Sequence, residues 1–323
     1  MINLHLTEAT HIDSLDLTHR RLGHLGVDLI KFMSEKDCYI ERGFKVKDSD
    51  FRKTFCKCEV CTLAKIKKFI SHVNSERYAY WPGEFYYVDF SGPFESSMQG
   101  NTYMVLFVDR ATRLIVGIFV KNKNEDTAIE DMKKFIETNL SAPRYSNKDF
   151  IFVQSDNGEM NSEKVRLHSW ANSIFQRFSS PHHSLSNGPV ERAIKKVKDV
   201  GRCIKLEKNM PEMFWEYAAK WAIYILNRTP NRFNGEWQRE AVYQMFHIQT
   251  DYSRLRIPFS KAYVLKRPHE WKKDWNKKGY KGILVGIDDS AYTVWVPELG
   301  GEVKSTNIVI DELATGELER GET

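Results

Sequence analysis

Between Glu84 and Val120 the chain carries three short apolar runs, Glu84–Phe90, Tyr103–Asp109 and Arg113–Val120, separated by the turn signals Ser-Gly-Pro and Arg-Ala-Thr-Arg. Runs of that length bounded by such residues predict three strands in meander order. The apolar spacing then changes. Ala128, Ile129, Met132, Phe135, Ile136 and Leu140 recur at helical intervals behind Asn124, a good N-cap residue. A buried-type strand, "FIFVQSD" (150–156), follows, then a polar helix near 162–172, a strand near 173–179, and helices over 189–206 and 211–227. Strands in meander order followed by alternating helix and strand predict a mixed sheet flanked by helices, an α/β core.

Either side of this core the pattern differs. Residues 15–68 suggest short helices around a Cys/His cluster, and 69–83 are polar, aperiodic and end in Trp-Pro-Gly, as a linker does. From about 257, "KAYVLK", "KGILVGI", "AYTVWVP" and "EVKSTNIVI" predict short strands with glycine turns, a small barrel or sandwich. The expected organisation is multidomain: a small helical domain over 1–68, a linker over 69–83 and the α/β core over 84–230. A linker or extension over 231–256, a small β-barrel-like domain over 257–312 and an acidic tail over 313–323 complete it.

Composition adds some limits. The 323 residues are 41% hydrophobic and 13% aromatic, enough for real cores. No apolar run approaches the roughly 18 residues that span a bilayer, and residues 1–12 carry no signal-peptide pattern, so a soluble, intracellular protein without a membrane partner is expected. Net charge is only +5, but residues 261–281 hold eight Lys or Arg against two acids, with Trp271 and Trp275 among them. Cations interleaved with indoles suit a nucleic acid; a solvated basic loop would read the same way.

Three of the five cysteines fall within Cys56–Cys61, which suggests metal rather than a disulfide framework. "HRRLGH" sets His19 and His24 five residues apart, and "CKCEVC" supplies Cys58 and Cys61 on a two-residue spacer. Two imidazoles and two thiolates with no open position describe one structural, tetrahedral Zn²⁺ site. Cys56 is an alternative to Cys58, although the spacer favours Cys58.

Two aspartates end predicted strands: Asp89 in "EFYYVDF", before Ser-Gly-Pro, and Asp156 in "FIFVQSD", before Asn-Gly. Carboxylates at strand ends point into the rim crevice where α/β folds bind substrates. Glu191, just inside the helix that opens with "SNGPVER", is the natural third member. Such an all-oxygen, anionic set suits Mg²⁺ or Mn²⁺. Lys195 and Lys198 lie four and seven residues after Glu191, on its own helix face, as candidate DNA contacts. Lys196 falls on another face. Asp109 is a further strand-end carboxylate, expected to serve a turn, and Cys38 and Cys203 are expected core thiols.

With these motifs in hand, the chain resembles an LTR-retrotransposon integrase of the Copia (Pseudoviridae) type, within the retroviral integrase group of D,D,E polynucleotidyl transferases, over about residues 15–312. "THRRLGHLGVDLI" resembles the family's His-His opening, with Thr18 where a Trp is usual. "CEVC" with "LAK" matches its Cys pair, "YYVDFSGPF" and "QSDNGEM" its two aspartates, and "SSPHHSLSNGPVERAIKKV" its glutamate motif. The 34 residues between Asp156 and Glu191 are one fewer than the signature spacing.

The resemblance implies an RNase H-like core and two-metal phosphoryl transfer by Asp89, Asp156 and Glu191. Asp89 would bridge both ions while Asp156 and Glu191 hold one each. The implied reactions are 3′-end trimming of element cDNA and its strand transfer into target DNA. Retroviral relatives hold the DNA end with lysines at the offsets of Lys195 and Lys198. Implied partners are double-stranded DNA and further copies of the chain, a tetramer or larger on DNA, and a host tethering factor is left open. Excision from a polyprotein, assembly in cytoplasmic virus-like particles and action in the nucleus are also implied. The helix over 211–227, apolar on more than one face, is then expected to bury one face in the core and another against a second subunit. Alternatives are a DNA transposase with the same carboxylate chemistry and a silent, element-derived DNA-binding scaffold.

Overall fold

A computed structural model of the chain describes residues 14–41, 43–44, 46, 58–65, 81–140, 151–155, 162–178, 187–233, 236–266 and 277–316. Residues 69–80 of the expected linker and residues 267–276 of the basic stretch, with Trp271 and Trp275, lie outside these residues.

Among the described residues, the N-terminal part holds four short helices, α1 (Leu15–Arg21), α2 (Val27–Ser34), α3 (Asp37–Ile40) and α4 (Glu59–Lys65). Ser14 caps α1, its hydroxyl accepting from Leu17 N at 3.2 Å. The central sheet has β1 (Phe85–Ser91), β2 (Tyr103–Asp109), β3 (Ile115–Val120), β4 (Ile151–Ser155) and β5 (Ile174–Phe178) in the order β3-β2-β1-β4-β5. The first three strands pair antiparallel, while β4 and β5 add in parallel to β1, with Tyr87 opposite Gln154. The mixed sheet expected from the pattern is therefore present.

Strand alternation assigns the two faces. Tyr86 and Val88 pack with Phe135 and Met132 of α5 (Glu125–Leu140) and with Val165 of α6 (Glu163–Ala171). Phe85 and Tyr87 face the other way, toward α7 (Gly188–Glu207) and α8 (Trp215–Asn227). Asn124 Oδ1 caps α5 by accepting from Thr127 N at 2.8 Å. Among the described residues no helix is long and apolar enough to cross a membrane.

The last five strands, β8 (Ser260–Leu265), β9 (Gly279–Ile287), β10 (Tyr292–Val296), β11 (Gly301–Ser305) and β12 (Ile308–Thr315), form an antiparallel sheet in the order β11-β10-β9-β8-β12. Strand β12 continues to Thr315, past the start of the expected acidic tail. One apolar cluster joins all three parts, from Leu22 and Ile30 through Val197 and Trp221 to Val264 and Val294.

Two expectations change. The segment 231–256 contains a hairpin, β6 (Asn231–Phe233) with β7 (Glu236–Gln238), and a helix, α9 (Ala241–Phe246). Its apolar set, Ala241, Val242 and Met245, packs on Leu114 and is too short to declare a period in the sequence. On α8, Tyr217, Ala218, Trp221, Ala222, Ile225 and Leu226 are all buried within this chain. The helix lies between α7 and β3 on one side and β9 on the other, so the face expected to await a second subunit is covered by the chain's own last sheet.

Candidate functional site

Four side chains meet below α1. His19 sits in its last turn, and the next turn passes through positive φ at Gly23 (59°) and His24 (61°). A left-handed backbone costs a histidine on the order of 1–3 kcal/mol. It folds His24 back so that His24 N donates to His19 O at 2.7 Å and His24 Nδ1 lies 3.2 Å from His19 Nε2. At Gly23 a Cβ would lie 2.9 Å from Val200 Cγ1 of α7, so only glycine allows both the turn and the close approach. Cys58 Sγ lies 3.3 Å from His24 Nδ1, and Cys61 Sγ 3.2 Å from His19 Nε2.

All four donor atoms lie within 4.8 Å of one another. A tetrahedral zinc ion bound at about 2.0–2.3 Å holds its donors about 3.3–3.8 Å apart, so this donor set fits the ion. Cys56, the sequence alternative, is outside the described residues, and so is any statement about the Cys38 side chain.

The surroundings determine which nitrogens face inward. His19 Nδ1 donates to Leu25 O at 2.8 Å, which leaves Nε2 with its lone pair toward the cluster. His24 turns Nδ1 inward and Nε2 outward, 3.1 Å from Glu207 Oε2 in an oblique approach. Burial, with His24 beside it, pushes the His19 imidazole down to about 4, so it is neutral near pH 7. Burial raises the Cys61 thiol, against the nearby Lys65 ammonium, whose Nζ is 3.7 Å from Cys61 Sγ. Burial acts to raise Glu207 as well, but the neighbouring His24 and Arg20 side chains outweigh it and the carboxyl is lowered.

The second constellation lies on the α7 side of the central sheet. Alternation along β1 puts Asp89 on the face of Phe85 and Tyr87, which α7 covers. Asp89 is half-buried, and its Oδ1 accepts from Phe90 N at 2.8 Å. Glu191 stands exposed in the first turn of α7, which starts at Gly188-Pro189. Asn187 ties the two together. Its side chain does not cap the helix but donates from Nδ2 to Val88 O at 3.2 Å, fastening the start of α7 beside Asp89. Strand β4, parallel to β1, ends at Ser155. Asp156 follows and lies outside the described residues.

The basic residues of α7 divide between two hollows. Lys198 lines one of about 280 Å³ with Phe94, Met104, Arg202 and Trp215, its Nζ 5.1 Å from the Phe94 ring centre. Burial and Arg202 lower the Lys198 ammonium while the Asp89 carboxylate acts the other way, so lysine and carboxylate sense each other. Lys196 lines the other, of about 190 Å³, with Arg113, Arg192 and Arg232. Lys195 is exposed.

Asp109 serves a turn, as expected. It is fully buried, with Oδ1 accepting from Gly83 N at 2.9 Å and Oδ2 from Thr112 N and Oγ1 at 2.7 and 2.8 Å. Cys203 is a core thiol, which burial pushes up to about 12. Sequence reasoning missed Asn187 and Glu207. The available signal for Glu207 was a carboxylate in the last turn of a helix, where the dipole disfavours negative charge.

No family model matches the chain. Curated relatives do. The chain is 26% identical over 304 residues to the retrovirus-related Pol polyprotein from transposon TNT 1-94 of Nicotiana tabacum, an alignment covering 93% of this chain and 22% of that protein. It is 27% identical over 298 residues to the corresponding polyprotein from transposon RE1 of Arabidopsis thaliana, covering 85% of this chain and 18% of that one. For transposon RE2 of the same plant the figures are 25% over 317 residues, 91% and 19%. The chain thus spans about a fifth of the length of the curated relatives it matches. Among solved structures, a chain of the simian T-cell lymphotropic virus intasome in complex with PP2A regulatory subunit B56 gamma aligns with a TM-score of 0.39 and 13% identity, over 73% of this chain and 84% of that one. The chain's curated relatives are therefore Copia-type, retrovirus-related Pol polyproteins that match most of its length.

Proposed function

We propose that the protein is the integrase segment of a Copia-type retrotransposon polyprotein, a polynucleotidyl transferase that trims the 3′ ends of element cDNA and joins them to target DNA. The observation that carries this reading is the bond from Asn187 Nδ2 to Val88 O, which fastens the helix bearing Glu191 to the strand bearing Asp89. Two carboxylates brought to one face beside a lysine are suited to phosphoryl transfer at DNA. Asp89, Asp156 and Glu191 would hold Mg²⁺ or Mn²⁺, which when bound supplies Lewis-acid activation of the attacking and leaving oxygens. Lys198 and Lys195 would bind backbone phosphates beside the carboxylates, and Asn187 would keep Glu191 in register with Asp89. His19, His24, Cys58 and Cys61 would hold one structural zinc ion, apart from the chemistry.

On this reading the substrate is double-stranded DNA, several copies of the chain act together on two DNA ends, and the target lies in the nucleus. The test is a strand-transfer assay with purified protein, labelled oligonucleotides matching the element's ends, supercoiled plasmid and Mg²⁺ or Mn²⁺. Metal-dependent joining that disappears in Glu191→Gln is the expected result. Binding without joining, in conditions where a known integrase works, overturns the enzymatic reading in favour of a DNA-binding scaffold.

A further inference from the structure

The zinc-type cluster is not confined to the N-terminal helices. Its outer wall is the last half of α7, the helix whose first turn carries Glu191. Glu207 ends that helix, where the dipole disfavours a carboxylate. Its side chain is nonetheless only 10% exposed and aims both oxygens at the cluster. Oε1 accepts from Arg20 of α1, and Oε2 lies 3.1 Å from His24 Nε2, the ring nitrogen opposite the one that faces the thiols. One turn earlier, Arg202 Nη1 donates to Ala64 O at the end of α4 at 2.6 Å. On the same helix, Val200 and Ile204 pack against Gly23, the residue that begins the His24 turn.

We infer that Glu207 is a positioning residue of the metal site: it holds the His24 imidazole with Nδ1 inward, so that metal binding and docking of the N-terminal helices on α7 form one linked equilibrium. This rests on the zinc reading of the His19, His24, Cys58 and Cys61 cluster. A metal-bound imidazole needs its second nitrogen hydrogen-bonded if ring orientation and tautomer are to be fixed, and a carboxylate acceptor also raises the basicity of the bound nitrogen. His19 meets that need within its own segment, through Leu25 O. For His24, the group placed to meet it is Glu207, 183 residues away in sequence, with Oε2 3.1 Å from Nε2. The ring nitrogen and the carboxylate stand oblique to each other. The linkage runs both ways. Losing the metal frees the His24 turn, Arg20 and the α4 end together, and with them the partners of Glu207 and Arg202.

The test uses the full chain loaded with zinc and a chromophoric chelator as competitor, with Glu207→Ala, Glu207→Gln, Arg20→Ala and, as control, Glu212→Ala. Glu212 is an exposed glutamate that pairs with Lys205 outside the cluster. Expected is a loss of zinc affinity of about 10- to 100-fold for Glu207→Ala. Glu207→Gln recovers most of it, because the carboxamide oxygen still accepts from His24, and Arg20→Ala and the control change it little. In wild-type protein, zinc removal should speed amide exchange at residues 202–207 and leave 190–195 protected. If Gln is no better than Ala and Arg20→Ala costs as much, Glu207 acts only through an ion pair that docks the module, and the inference is overturned. Unchanged affinity in Glu207→Ala, with wild-type protein binding zinc, also overturns it while sparing the zinc reading. Wild-type protein that binds no zinc removes both.

Discussion

The His/Cys cluster and the carboxylate rim are both built from side chains far apart in sequence, yet they differ in every physical respect. The cluster is soft and largely enclosed, two buried imidazoles with two half-buried thiols. His19 and His24 are almost fully buried, their outer ring nitrogens lie within reach of Leu25 O and Glu207, and the donors lie within 4.8 Å of one another. The rim is anionic and open, with Asp89 half-buried and Glu191 exposed, and like charges repel there until a cation or a substrate's surroundings offset them. A closed donor set can be completed by packing alone and therefore serves the fold. An open carboxylate set has no folding role to perform and is available for chemistry. On this contrast, damage to the cluster should register as lost structure and damage to the rim as lost activity.

The largest expected effect tests the first half. Cys58→Ser should release the zinc ion and with it binding energy on the order of 10 kcal/mol that holds α1, α2 and α4 together. Elemental analysis should fall from one zinc per chain to none, and amide exchange should rise over residues 14–34 while the central sheet stays protected. Retained protection there would break the comparison.

Glu191→Gln and Asp89→Asn test the second half. Strand transfer should drop by about 10³-fold or more, roughly 4 kcal/mol of transition-state stabilisation. Melting of Glu191→Gln should change little, since an exposed substitution away from a core feature shifts stability by about 0.5 kcal/mol or less. A large drop in melting temperature would mean that the rim is structural after all.

Asp131 separates burial from function. It is fully buried on α5, neither oxygen has a hydrogen-bond partner among the described residues, and burial raises its carboxyl to about 7. Between its unfolded value near 4 and this value the folded chain binds the extra proton, so stability falls as pH rises through the window. Asp131→Asn should therefore stabilise the protein by about 1–3 kcal/mol at pH 8 and change little at pH 4, as denaturant melts at the two pH values would record. A mutant no more stable at pH 8 would contradict this.

The smallest effect belongs to Lys198→Ala. DNA affinity should weaken about 3- to 10-fold, and the slope of log affinity against log salt should flatten by about one, the loss of a single phosphate contact. An unchanged slope would move Lys198 from the DNA face to a purely packing role over Phe94.

Much of this was legible beforehand because it rests on local periodicity. Tyr103–Asp109 matches its strand end for end, and the Asn124 cap, the α/β order and the turn role of Asp109 follow from neighbours within a few residues. The paired His and paired Cys were legible because metal-ligand spacing is itself a local signal. The hairpin and α9 within 231–256 were not, since three apolar residues declare no period. The covered second face of α8 was not legible either, because a helix apolar on two sides does not say which partner comes.

By itself, then, the sequence determined most of the elements, the donor chemistry and the kinship with retrotransposon polyproteins, all of which are written in short-range spacing and residue type. Only the tertiary structure decided that Asn187 reaches Val88 across the sheet and that Glu207 closes on His24. It alone seated the C-terminal sheet on α8. Those contacts join residues roughly 50 to nearly 200 positions apart, and no local rule of periodicity or propensity fixes which distant surfaces will meet when a common core is buried.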